Sequence, residues 1–355
     1  MAQTTHFFAG ANSGAGFQNL FPQVIDVERA QDFMILKGGP GVGKSTFMRE
    51  LGRTMEAAGV RTEYLWCSGD PDSLDGVVFP ELGCAAADGT FPHVLEPRYP
   101  AAVDRYVDLG RFYDLTAAKA AAAEVKERTR DYKAAYGRAY RALSAARQVE
   151  LENIRLAAEG FDEARARRRV QGILQRELRR RGNEAGESVY RFLGSLTYRG
   201  YVGRWDSVET LCPKVYEFSD SWELAGPLLK LLRDAAAERG WNHIVCAAPE
   251  APERMEHLLI PSLGLAFVSS RTGMEYEGQA FRRIRLDAMT EPGRRGAVRF
   301  RRRMADLLRR EAVEALGEAK KSHDALEAIY NPYVDFDGVR ALAALEAGRL
   351  LSRIG

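Results

Sequence analysis

The run Met34-Ile35-Leu36-Lys37-Gly38-Gly39-Pro40-Gly41-Val42-Gly43-Lys44-Ser45-Thr46 constrains this chain more than any other stretch. A short apolar segment leads into a glycine-rich loop, and a helical pattern starts directly behind it. The spacing G-x-x-x-x-G-K-[ST] is met at Gly38, Gly43, Lys44 and Ser45, in the strand–loop–helix context that gives it meaning. Glycines let the backbone curl until several N–H groups point at one phosphate chain. The helix that follows turns its positive end toward the same anion. The segment reads as a phosphate cradle made by Gly38, Gly39, Pro40, Gly41, Val42, Gly43, Lys44, Ser45 and Thr46. Lys44 would reach the β and γ phosphates, and the Ser45 hydroxyl would hold Mg²⁺.

The surrounding residues extend this unit. Phe33 to Lys37 is the strand feeding the loop. Phe47, Met48, Leu51 and Met55 recur at helical spacing, and Gly59 ends that run as a C-cap. Arg61 to Cys67 alternates as a second strand. Cys84-Ala85-Ala86-Ala87-Asp88 is a small apolar run closed by an acid, the shape of a strand that presents Asp88 to Mg²⁺. His93 falls on the loop beyond it, at the edge of a sheet where ligands bind. It reads either as a phosphate sensor or catalytic group, or as a loop histidine capping a carbonyl. Asp70, Asp72 and Asp75 can take a proton from an acceptor hydroxyl or orient water. Asp70 and Asp72 also suit an Asx turn around Pro71, so Asp75, just ahead of Val77-Val78-Phe79, is the preferred acid. Residues 6–17 read as a short strand and a glycine-rich turn, which is either an ordinary loop or one that touches the nucleotide.

Two long helical arms follow the two sheet-forming regions. Residues 115 to about 185 are rich in alanine, arginine and glutamate, and Tyr132, Tyr136, Tyr140 and Leu143 keep helical spacing. This predicts a helical hairpin or small bundle inserted after the first sheet. A second arm spans about 294–355, with Phe300, Met304, Leu307, Leu308, Ala312 and Leu316 on one helix face. Self-comparison finds the first half again at an offset of 181. Leu51 and Gly59 face Leu232 and Gly240, Tyr64-Leu65-Trp66-Cys67 echoes His243-Ile244-Val245-Cys246, and Phe79 to Gly83 echoes Ile260 to Gly264. The halves are thus 1–188 and 189–355. In the second, Gly38 faces Ser219, Gly43 faces Leu224, Lys44 faces Ala225 and Asp88 faces Ser269. Asp220 and Glu223 stand where phosphate would sit and would repel it, so the second core should not bind a nucleotide triphosphate this way.

The segments His6-Phe7-Phe8-Ala9-Gly10, Leu36 to Ser45, Ser73-Leu74-Asp75-Gly76-Val77 and Asp88-Gly89-Thr90-Phe91-Pro92-His93 resemble an uncharacterised bacterial family of tandem P-loop ATPase-like proteins, within the P-loop NTPase superfamily. The resemblance implies two P-loop cores in one polypeptide and ATP as ligand. The family's second half can carry its own phosphate loop, and this sequence departs from that at Ala225 and Ser269.

The expected fold class is α/β, with two tandem P-loop NTPase-like cores. Each would be a parallel sheet with flanking helices and an arm, the second core being degenerate. A length of 355 residues calls for more than one core. No stretch approaches a membrane span, and a net charge of +2 demands no acidic partner. The opening Met1–His6 lacks a signal-peptide pattern, and Cys67, Cys84, Cys212 and Cys246 show no C-x-x-C spacing. Buried thiols in a reducing cytoplasm are expected. Mg²⁺-dependent ATP hydrolysis with Lys44, Asp75, Asp70 and His93 as catalytic candidates is the first expectation. Phosphoryl transfer to a small molecule is the second. The third is an ATP-gated module whose runs Arg165–Arg169 and Arg299–Arg303 bind an anionic partner such as nucleic acid, unless those runs are solvated helix faces. An arginine of the second half could also act as a finger on the γ-phosphate.

Overall fold

The computed structural model describes residues 3–354. The chain opens with strand β1 (Thr4–Phe8) and the hairpin β2 (Gly10–Ser13) and β3 (Gly16–Asn19). Then come β4 (Asp32–Lys37), α1 (Lys44–Ala57), β5 (Thr62–Trp66), β6 (Leu74–Phe79), β7 (Cys84–Asp88) and β8 (Asp104–Asp108). The first arm is α2 (Leu115–Ala120), α3 (Ala122–Glu159) and α4 (Glu163–Glu177).

The first sheet has the order β1-β5-β6-β7-β4-β8. It is mixed rather than wholly parallel, because β6 runs antiparallel to both β5 and β7. The reason is the short 67–73 connection, since a parallel return needs a crossover of roughly a dozen residues or more. Interior β4, between β7 and β8, carries Phe33, Met34, Ile35 and Leu36, all buried, as a strand covered on both faces must. Helix α1 lays Phe47, Met48, Leu51 and Met55 on that sheet and stops at Ala58, where Gly59 takes φ 84°.

The second half repeats this path. It contains β9 (Ser188–Arg191), β10 (Gly194–Thr197), β11 (Gly200–Gly203), α5 (Trp205–Leu211), β12 (Lys214–Ser219) and α6 (Gly226–Glu238). There follow β13 (His243–Ala248), β14 (Ala251–Ile260), β15 (Leu265–Ser270), β16 (Arg282–Arg285), α7 (Arg295–Tyr330) and α8 (Phe336–Leu351). The sheet order β16-β12-β15-β14-β13-β9 matches the first strand for strand, with β14 as the reversed member. Pairing registers sharpen the correspondence. Phe7 pairs with Leu65 as Arg191 pairs with Cys246, so Leu65, not Cys67, is the counterpart of Cys246. Leu36 pairs with Asp88 as Phe218 pairs with Ser269. The second loop is therefore one residue shorter, and Gly38 corresponds to Asp220 rather than Ser219.

The arms are exchanged. Instead of folding back on its own half as a hairpin, α3 runs antiparallel beside α7. Tyr132 meets His323 near one end, and Asn153 Nδ2 donates to Val298 O near the other. Ala135, Ala139, Ala142 and Ala146 face Ala312, Ala315 and Ala319 across a close seam, which accounts for the alanine-rich composition. Helix α4 then covers α6 of the second core through Ala166, Val170 and Ile173. Helix α8 covers α1 of the first through Ala343, Ala347 and Leu350. The crossings are pinned by matching bonds, Asp114 N to Tyr333 O at 2.7 Å and Asp162 N to Met289 O at 2.8 Å. Asp162 and Asp335 cap the two crossing helices by accepting N–H bonds from Arg165 and Gly338. Phe8 and Phe192 exchange two backbone bonds of 2.8 and 2.9 Å between the halves. On α7 the buried face is Val298, Ala305, Ala312 and Leu316, whereas Phe300, Met304 and Leu307 are exposed, contrary to the helical face read from sequence. Cys67, Cys84, Cys212 and Cys246 are free thiols. Among the described residues no helix is long and apolar enough to cross a membrane.

Candidate functional site

The glycine loop joins β4 to the first turn of α1. Gly41 and Gly43 adopt φ 73° and 93°, a region that side chains rarely tolerate. Lys44 bends back over the loop. Its Nζ donates to Gly38 O at 2.7 Å and Gly39 O at 3.0 Å, and lies 3.5 Å from Asp88 Oδ2. Ser45 Oγ accepts the Leu74 N–H at 2.9 Å, which ties the loop to β6. Asp88 closes β7 as expected. Its Oδ1 is fixed by the Thr90 N–H and hydroxyl, at 2.8 and 2.6 Å, and this leaves Oδ2 toward Lys44. A cavity of about 1120 Å³ opens over these groups. Gly38 through Thr46, Asp70, Asp75, Asp88 and His93 all line it.

His93 sits between two acids. Its Nε2 is 3.2 Å from Asp75 Oδ2 and its Nδ1 is 3.9 Å from Asp88 Oδ2. Burial disfavours the charged imidazole, but the carboxylates of Asp75 and Asp88 outweigh it and lift the His93 pKa above its ordinary value. Phe21 and Phe17 pack on the ring at 4.3 and 5.4 Å between centroids. Asp75 is buried on β6. Asp70 accepts the Asp72 N–H at 3.2 Å, the Asx-turn arrangement, and faces Lys320 Nζ at 3.5 Å. Asp72 turns outward to Arg199.

Sequence reasoning missed the far wall of the cavity. The end of α7 supplies Lys320, His323 and Glu327, and Tyr330, Asn331 and Phe336 complete that side. Glu327 Oε1 accepts the Gly41 N–H at 3.1 Å, so a carboxylate of the second arm already occupies one donor of the loop. Tyr132, Tyr136 and Tyr140 line the cavity from α3, with Tyr140 Oη donating to Asn12 Oδ1 at 3.2 Å. Their spacing was a visible signal, but helix packing explained it equally well. Neither arginine run lines this cavity, so the second half brings Lys320 here, with His323 beside it, rather than a finger arginine. Arg165, Arg168 and Arg169 are exposed beside buried Ala166 and Val170, as on a solvated helix face.

The corresponding place in the second core is filled from within. Asp220 accepts the N–H groups of Leu224 and Ala225, at 2.7 and 2.8 Å, where α6 begins. Burial pushes its carboxyl up to about 6 against the pull of those donors. Glu223, at φ 58°, meets Arg147 at 2.8 Å, Arg271 at 2.7 Å and Arg254 at 3.2 Å. Glu250 faces Arg309 at 3.0 Å and Arg271 at 3.5 Å. The adjoining cavity measures about 480 Å³. Comparison of the chain with protein families, with curated proteins and with solved structures found no match, so a functional reading rests on this geometry.

Proposed function

We propose that the chain is a tandem P-loop protein that binds ATP with Mg²⁺ at the Lys44 loop and hydrolyses it, with the second core holding the first in shape. The supporting observation is Lys44 Nζ, poised between loop carbonyls and Asp88 Oδ2 where α1 begins. Bound phosphate would draw the ammonium off the Gly38 and Gly39 carbonyls, and the N–H groups of the loop and of α1's first turn would share the charge. Ser45 Oγ keeps a lone pair beyond its bond from Leu74, and Asp88 Oδ2 accepts no hydrogen bond. These two oxygens fit Mg²⁺, which when bound would neutralise charge on the phosphate chain. Asp75 and His93 would orient the attacking water across the cavity, and Lys320 would add positive charge from the second arm. Four free thiols fit a reducing, cytoplasmic site of action.

Calorimetry is expected to find one ATP per chain in wild type and at least a tenfold loss of affinity in Lys44→Ala. Unchanged affinity would refute the reading, and two nucleotides per chain would refute the silence of the second core. Glu327→Gln removes a carboxylate from the anion cradle and is expected to tighten ATP by several-fold, on the order of 1 kcal/mol. Weaker binding in that variant would mean that Glu327 supports the loop instead of competing for it.

Phosphoryl transfer to a small molecule is favoured by one observation. About 1120 Å³ exceeds what a single small ligand usually fills, and Tyr132, Tyr136 and Tyr140 line it together with the loop. ADP release that depends on an added metabolite would select it over hydrolysis. The anionic-partner reading keeps the solvated first arginine run and a second in which Arg302 stacks on Trp222, and a salt-sensitive shift with DNA or RNA would be its signature.

A further inference from the structure

Asp75, Asp88 and His93 come from β6, the end of β7 and the loop behind it. One ligand atom from each lies within 4.8 Å of the other two, and all three residues are buried. Asp75 is 5% and His93 6% exposed, yet Asp75 Oδ2 and His93 Nδ1 have no hydrogen-bond partner. Leaving such atoms buried and unpaired destabilises the fold, and more so when the group is charged. Both residues face the cavity. His93 Nδ1 is 3.9 Å from Asp88, too far for a hydrogen bond, and Nε2 faces an Asp75 oxygen that accepts none.

We infer that Asp75, Asp88 and His93 form a binding site for one divalent cation of the borderline class, such as zinc, cobalt or iron. Metal–ligand bonds of about 2.0–2.2 Å set neighbouring donor atoms roughly 3 to 3.5 Å apart. The 3.2 Å edge between Asp75 Oδ2 and His93 Nε2 already has that length; one ring nitrogen binds the ion, and the ligand atoms, all within 4.8 Å of one another, need to draw together around it. One imidazole and two carboxylates suit these metals, whereas Mg²⁺ takes oxygen ligands and gives up its waters reluctantly. The ligands are held in place from behind, as ligands of a metal centre generally are. Thr90 fixes Asp88 Oδ1, Phe21 packs on the imidazole, and Asn19 Nδ2 donates to His93 O at 2.7 Å. The ion's remaining positions would take water; Asp88 would then be shared with the Mg²⁺ that accompanies a nucleotide, and Asp75 and His93 would act on water through the ion. The second core carries Glu256, Ser269 and Met274 at the matching positions, and Met274 repeats the N–H bond of His93, to Arg271 O as His93 bonds Thr90 O. It lacks the imidazole and one acid, so the site occurs once per chain.

The inference goes beyond the nucleotide reading and is tested without nucleotide. Chelator-treated full-length protein is titrated with Zn²⁺ by calorimetry and with Co²⁺ by visible absorption. One equivalent is expected, with a Co²⁺ spectrum showing nitrogen ligation. His93→Gln and Asp75→Asn should each weaken Zn²⁺ by more than tenfold, and Zn²⁺ should raise the wild-type Tm but not that of His93→Gln. Lys44→Ala should keep Zn²⁺ binding while losing ATP, which separates this site from the phosphate loop. A wild type that takes up no stoichiometric Zn²⁺ would overturn the inference. So would Zn²⁺ affinity unchanged in both ligand variants, or Mg²⁺ matching Zn²⁺ in affinity. His323, Asp324 and Glu327 also cluster, and loss of the bound equivalent in His323→Ala alone would overturn it in their favour.

Discussion

Removing residues 334–355 is expected to unfold the first core, although none of them belongs to its sheet. The lost helix α8 covers α1 with Val339, Ala343, Ala347 and Leu350, all buried. Full burial of a valine or leucine side chain stabilises by about 1.5–3 kcal/mol. Two such residues and two alanines therefore sum to roughly 5 kcal/mol, against a typical total of about 5–15. Arg105 also loses Glu346, its partner at 2.7 Å, and keeps Asp32 at 3.0 Å. The truncated chain should melt much lower, bind a hydrophobic dye and fail to bind ATP. Thermal unfolding and dye fluorescence read the outcome. A melting temperature within a degree or two of wild type would show that the exchanged helix is dispensable. By the same reasoning, residues 1–187 expressed alone should be insoluble.

The second large effect belongs to the buried ion network of the second core. Glu223→Ala strips a shared partner from Arg147, Arg254 and Arg271 and leaves positive charge out of water. Breaking a buried pair on one side typically costs about 3–5 kcal/mol, so the urea midpoint is expected to fall by that free energy divided by the slope, with the slope itself unchanged. A change below 1 kcal/mol would mean that water already reaches the network. Acid should expose the same arrangement. Burial raises the carboxyls of Glu250 and Glu256, but Arg271 with Arg309 at the first, and His257 with Arg254 and Arg271 at the second, hold both at about 2. These folded values lie below the unfolded one, so their stabilisation is present above about pH 4.5 and lost as pH falls toward 2. Asp220 runs the other way, because its carboxyl at about 6 favours the folded state increasingly as pH falls from 6 toward 4. Thermal midpoints should therefore hold or rise between pH 6 and 4.5 and drop below that.

Much of the first site was legible because it is local. The apolar run 33–36, the glycine spacing and the helical period behind Lys44 each reflect a few neighbouring residues, and all three hold in the structure. Asp88 and His93 fell where a strand end and its loop place them. The duplication was legible in the order of its anchors, but its register slipped where the second loop lost one residue. That shift moves Asp220 opposite Gly38. The arm exchange could not be read, since Val170 on α4 and Val339 on α8 would cover an apolar helix in either half. The same holds for Glu327 at Gly41, where two residues far apart in sequence meet only because α7 returns to the first core. Phe300, Met304 and Leu307 share a helical stripe, and period alone does not say which stripe faces a partner helix.

Two separate chains that traded arms in this manner would be a domain-swapped homodimer, held together only above its dissociation concentration. Joining them through residues 178–187 makes each arm a tethered ligand of the opposite core, and dilution no longer separates them. Fusion also frees the copies to diverge. The second core can fill its own anion cradle with Asp220 at no cost to the Lys44 site, yet it cannot be discarded, because its last helix is part of the first core's wall.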